Sequence, residues 1–166
     1  MVKDKKKIYI AFAFFLIMLL DAHLTRAFIA WGNGTNVWTT HLLLLVLMFC
    51  APKFSRRYML IVSIILGSIF DLYFMGILGV YAVSLPLVVW LMDLLSEILY
   101  QNIFTMFFGT IILITGYEVI VAAIQFLFKV STISPVFFIA QVLGPTLLIN
   151  MLFFFLLYFI SSRLLP

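Results

Sequence analysis

Polar residues fall in short islands between long apolar runs, and the islands divide the chain into six segments, 8–30, 37–51, 59–75, 79–100, 104–128 and 136–160. A helix rises 1.5 Å per residue, so about 20 apolar residues cross roughly 30 Å of hydrocarbon. Segments one, five and six meet that length. Segments three and four share a run, 59–92, that carries a single charge, Asp71, and is punctuated by Gly67, Gly76, Gly79 and Pro86. Gly76-Ile77-Leu78-Gly79 therefore predicts the outer turn between them, and either both helices are short or segment four continues past Asp93 to about Tyr100. Ser63, Gly67 and Asp71 recur every four residues, a small or polar stripe suited to close helix approach. In segment six Gly144-Pro145 predicts a kink or a re-satisfied break, with Thr146 and Asn150 on one face.

Composition narrows the class. Of 166 residues, 66% are hydrophobic and 10% charged, against about 45–50% and about 25% in soluble domains. The pattern thus predicts an all-α integral membrane protein forming a single domain over 1–166. Four of the ten basic residues are Lys3, Lys5, Lys6 and Lys7, and the turn Pro52-Lys53-Phe54-Ser55-Arg56-Arg57 is also basic. With Arg163 these make eight basic residues on one side against Arg26 and Lys129 on the other. The positive-inside rule then places both termini in the cytoplasm. The basic N-terminus and the uncharged residues 8–20 have the outline of a signal peptide, but no A-x-A-like site follows. The segment reads as a retained anchor.

A carboxylate at the bilayer centre costs roughly 2.5–3.5 kcal/mol on insertion scales, so each buried acid requires a reason. Asp71 falls about 19 Å along segment three from Tyr58, in its outer half, where the N–H groups of the turn or of the start of segment four lie in reach. A structural pin is the expectation. Glu118 lies near the middle of segment five, and Asp21, with Thr25 one turn on and Arg26 beside it, near the outer end of segment one. These three are candidates for a polar interior, with solvation at the helix end the plainer alternative for Asp21 and Arg26.

Enzyme chemistry finds no constellation. H-E-x-x-H, a phosphate loop with lysine and G-x-S-x-G are all missing from the sequence, and with them any expected cofactor or catalytic residue. His23, His41 and Asp21 make a poor metal set, since histidines near helix ends usually solvate. Cys50 is the one cysteine and receives no role. No soluble basic module is present to bind nucleic acid, and the N-terminal lysines suit an anionic lipid surface. The lone Asn33-Gly34-Thr35 sequon sits in a short turn and carries no weight on its own.

Gly67-x-x-x-Asp71, followed by Gly76-x-x-Gly79 and Ala82, resembles the signature of the MreD family of bacterial rod-shape-determining membrane proteins. Gly144-Pro145-Thr146-Leu147-Leu148-Ile149-Asn150 is similar to that family's proline-threonine to asparagine motif. The resemblance marks Gly67, Asp71, Gly76, Gly79, Pro145 and Asn150 as structural or partner-binding residues. It implies a non-catalytic part of the cell-elongation machinery in the bacterial cell membrane. MreC would be the partner through its transmembrane helix, with RodA, a class B penicillin-binding protein and MreB as further members. It also implies an architecture similar to the substrate-binding subunits of energy-coupling-factor vitamin transporters. That likeness supplies the alternative function, a pocket for a small polar molecule lined by Asp71, Glu118, Asn150 and Arg26.

Overall fold

The computed structural model describes residues 2–32, 36–76, 78–129 and 134–164. The sequon at Asn33, the turn residue Ile77 and residues 130–133 of the last loop lie outside them. Helix α1 (Val2–Trp31) leads to α2 (Leu42–Cys50), which ends in a 3-10 turn (Ala51–Lys53). Helix α3 (Arg56–Phe70) runs on through a π-helical turn (Asp71–Met75) to α4 (Tyr81–Leu94) and the single turn α5 (Ser96–Leu99). Helix α6 (Ile103–Leu127) follows. The last helix opens as α7 (Pro135–Phe137), continues through a π-helical stretch (Phe138–Leu143) and becomes α8 (Gly144–Leu164). No strand occurs among the described residues.

Helix α1 shows what kind of medium the fold is built for. Phe14, Met18 and Ala22, spaced by four, are buried, while Ile8, Phe12, Leu16 and Leu20 on the opposite face are at least half exposed. Both faces are apolar. A helix that is hydrophobic all round belongs in a membrane or a large core, and the outward stripe has only lipid to meet. Among the described residues four helices are long and apolar enough to cross a bilayer, over Lys7–Trp31, Arg56–Phe74, Ile103–Leu127 and Pro135–Ser161.

The other two apolar helices are shorter than the sequence pattern suggests. Segment two was expected to be helical from residue 37, yet residues 37–41 are non-helical and α2 starts at Leu42. The reason is that backbone groups of residues 37–41 are claimed by side chains of other helices and by the Gln141 carbonyl, described below. Segment four was expected to reach residue 100, but α4 stops at Leu94 and α5 is a separate turn. Helix α2 with its 3-10 turn spans roughly 18 Å and α4 roughly 21 Å at 1.5 Å per residue, well under the hydrocarbon thickness.

Packing makes α2 the central element. Leu43, Leu44, Leu45, Leu47 and Met48 are buried, against α1, α4 and α8. Helices α3 and α4 form the tightest pair, because a Cβ at Gly67 would lie 2.7 Å from Tyr81 C and 2.8 Å from Ala82 Cα. Only glycine lets the two backbones meet there. At the opposite end of the same pair, Arg56 and Asp93 make a half-exposed ion pair of 3.3 Å. Tyr100 donates to the Met48 carbonyl at 2.8 Å, fixing the end of α2. Asn102 and Thr105 form a reciprocal capping box that starts α6, as the sequence chemistry of such pairs requires.

Candidate functional site

Two corners and a cavity between them hold most of the buried polar chemistry among the described residues. The first corner joins α3 to α4. The Asp71 carboxylate is wholly buried and accepts three backbone N–H groups, from Gly79 at 2.8 Å and Ala82 at 3.0 Å on Oδ2 and from Tyr81 at 2.8 Å on Oδ1. Those donors open α4, where the first N–H groups of a helix have no partner of their own and favour negative charge. The chain turns back to present them because Gly76 (φ 68°) and Gly79 (φ 116°) take left-handed backbone values that suit glycine. Gly76 N–H closes the π-helical turn on the Asp71 carbonyl at 2.8 Å.

The second corner joins α1 to α2, and it is built the same way with a different acid. Asp21 accepts the N–H groups of Leu42 on Oδ1 at 2.9 Å and Leu43 on Oδ2 at 3.2 Å, the first turn of α2. Its connection is open rather than tight. Thr40 N–H donates to Thr25 Oγ1 at 3.0 Å, and the Thr40 hydroxyl to the Asp21 carbonyl at 3.0 Å. On the far side, the Asn150 amide clasps the same stretch: its Oδ1 accepts from His41 N–H at 2.7 Å and its Nδ2 donates to the Thr39 carbonyl at 2.9 Å.

Pro145 completes the clasp. Proline has no N–H for the carbonyl four residues back, which is Gln141, and that carbonyl accepts Val37 N–H at 2.8 Å. The expected break at Gly144-Pro145 is thus taken up by the π-helical stretch, and the carbonyl opposite the proline anchors the chain between α1 and α2.

A cavity of about 830 Å³ opens between the corners, lined by α1, α3, α4, α6 and the π-helical stretch before α8. In its wall His41 Nε2 donates to Glu118 Oε1 at 2.7 Å, and the Thr39 hydroxyl donates to the same oxygen at 2.7 Å. Thr39 has then used its proton, so the Thr146 hydroxyl 2.7 Å away is the donor to it. Both His41 and Glu118 are buried, and a charge-assisted bond with a second donor is how a membrane-depth acid is made tolerable. The ring of Tyr117 stands edge-on to His41 at 4.9 Å. Arg26 is exposed at the rim, its guanidinium 4.9 Å from the Phe74 ring centre.

The residues singled out from the sequence separate into three groups. Asp21, Arg26 and Glu118 line the cavity together. Gly67 lines it too, but acts as the contact point of α3 and α4, while Gly76 and Gly79 form the turn beyond. Asp71 and Asn150 are away from the cavity lining, contrary to their placement in a pocket by the transporter-like alternative. The cause is geometric, since both are wholly buried and committed to backbone groups. His23 is exposed while His41 is buried. Sequence reasoning missed Thr39 and Thr40. Their signal was the polar run Thr39-Thr40-His41 just before a leucine run, which marks a helix start.

Apolar outward faces, four membrane-length helices and buried acids spent on helix ends define an α-helical membrane protein. Comparison with known proteins carries this further. The family profile described as rod shape-determining protein MreD matches residues 5–166, and the chain belongs to that family. A relative from Streptococcus pneumoniae (strain ATCC BAA-255 / R6), named cell shape-determining protein MreD, is 24% identical over 156 residues, covering 94% of this chain and 93% of the relative. No solved structure matches the chain.

Proposed function

We propose that the protein is a non-catalytic component of the bacterial cell-elongation machinery, acting on cell shape and peripheral wall synthesis from within the cell membrane. The observation that carries this is the family match over nearly the whole chain. We further propose six spans with both termini cytoplasmic. Helices α2 and α4 are too short to cross alone, and irregular backbone at membrane depth is tolerated only where protein satisfies it. The carboxylates of Asp21 and Asp71 supply that satisfaction at the N-termini of α2 and α4, which favours counting both as spans. The Arg56–Asp93 pair favours setting the loop before α3 and the loop after α4 on one side.

In this reading the partner is MreC, held through its transmembrane helix, and through it RodA, a class B penicillin-binding protein and MreB. The test is purification from membranes in which MreC is demonstrably present, with mass spectrometry of what accompanies the protein. Recovery of MreC in stoichiometric amount is expected, and repeated recovery of the protein alone would sink the reading. The cavity favours a second reading, a substrate-binding subunit similar to those of energy-coupling-factor transporters. A small polar molecule released when the purified protein is denatured would distinguish it.

A further inference from the structure

The cavity wall contains polar groups that the fold does not use. Glu118 Oε1 takes both hydrogen bonds, from His41 and Thr39, while Oε2 has none among the described residues. Glu118 is only 7% exposed. Among the described residues no buried side-chain oxygen or nitrogen lacks both a partner and access to open space, so Oε2 is open to the cavity that Glu118 lines. Asp21, its oxygens spent on Leu42 and Leu43, adds a second carboxylate to the same lining, to which Phe70, Tyr81 and Tyr117 also belong. Acids beside aromatic faces are the surroundings that hold an organic ammonium.

Arg26 marks the other end. It lies five residues beyond Asp21 on α1, roughly 7 Å along the helix axis. It is exposed at the rim over Phe74 and pairs with no carboxylate among the described residues. Beside it the lining carries Thr25 and Gln125 and exposed apolar side chains, with Phe126 at 68% and Ile139 at 60% exposure. In a membrane chain such side chains face lipid. At about 830 Å³ the space matches the roughly 300–1,000 Å³ of sites for small ligands.

We propose that this cavity binds an amphiphilic zwitterion, its ammonium set against Glu118 Oε2 and the aromatic wall, its anionic group against Arg26, and its apolar body among the rim side chains. Two sources share that chemistry, a membrane aminophospholipid and a water-soluble amino acid-like amphiphile. The assignment rests on the cavity and stands or falls separately from the partner proposed above.

The test is thermal unfolding of the full chain in detergent with three probes. Dihexanoylphosphatidylethanolamine carries ammonium and phosphate, dihexanoylphosphatidylglycerol has the same apolar body without the ammonium, and L-tryptophan is a soluble apolar zwitterion. A saturable rise in Tm with the ethanolamine lipid above that with the glycerol lipid supports the proposal and names a lipid source. A rise with tryptophan and neither lipid supports it with a soluble source. Equal rises with both lipids, or none with any probe, overturn it. Arg26→Gln removes an exposed side chain without an ion pair, so its unfolding without probe should match the parent. Its apparent affinity for the active probe should fall roughly ten-fold or more, the loss of one hydrogen bond to a charged group. Unchanged affinity overturns the proposal. Glu118→Gln should abolish the preference for the ammonium probe. If that variant does not fold, Arg26→Gln and the probe comparison decide the matter.

Discussion

The corners at Asp71 and Asp21 solve one problem with opposite economies. Each sets on a long helix a carboxylate that accepts the first N–H groups of a short one, Asp71 at the end of α3 and Asp21 ten residues before the end of α1. At Asp71 the donors lie eight to eleven residues away, the turn is closed by two left-handed glycines, and the side chain is wholly buried. At Asp21 the donors are 21 and 22 residues away, and the connection is held from outside by Thr25, Thr146, Asn150 and the Gln141 carbonyl. The tight corner yields a rigid helix pair. The loose one yields a cavity wall, because an extended chain leaves side-chain room that a turn of glycines removes.

Substitutions can break this contrast. Asp71→Ala should have the largest effect, since it orphans three buried donors at roughly 1–3 kcal/mol each. Thermal unfolding in detergent should show a severe loss, with Asp71→Asn intermediate because one acceptor oxygen survives, and an Ala variant as stable as the parent would refute the pinning role. Gly67→Ala comes next, at about 1–3 kcal/mol, the usual range for overpacking. Backbone atoms of Tyr81 and Ala82 occupy the space for the new Cβ, so α3 and α4 must separate. Disulfide trapping across that pair would report the shift.

Asn150→Leu should cost about 1–3 kcal/mol by leaving His41 N–H and the Thr39 carbonyl unpaired, read as earlier protease nicking of residues 36–41. Asp21→Ala should be mildest, about 0.5–2 kcal/mol, the scale of a lost helix cap, because its site borders open space and other side chains keep hold of the chain. Should Asp21→Ala prove as damaging as Asp71→Ala, the distinction between a rigid and a soft corner fails.

Local chemistry made one corner readable and distance hid the other. Asp71 stood out as the only charge in a 34-residue run with glycines close behind, and every partner of its carboxylate is a neighbour in sequence. The helical, membrane-embedded character was equally plain from apolar runs that show no polar face. The non-helical stretch 37–41 was not, since beyond Thr25 and Asp21 its partners lie far along the chain, on α6, the π-helical stretch and α8. Leucines adjoining Thr39-Thr40-His41 look like helix continuing inward, and nothing local shows that Asn150 will claim the backbone. The Gly144-Pro145 break was visible as a defect, but the acceptor it leaves on Gln141 acquires meaning only when Val37 is seen to use it.

That bond from Val37 to Gln141 also orders events in time. The chain emerges from its N-terminus, so the α3–α4 turn can close as soon as residue 82 is made. The stretch 37–41 waits for partners 77 to 111 residues downstream. During synthesis α1 and α2 are made with that link unfinished, and only arrival of the last helix locks it. The cavity is therefore the final part of the molecule to take shape, and the C-terminal helix serves as its keystone.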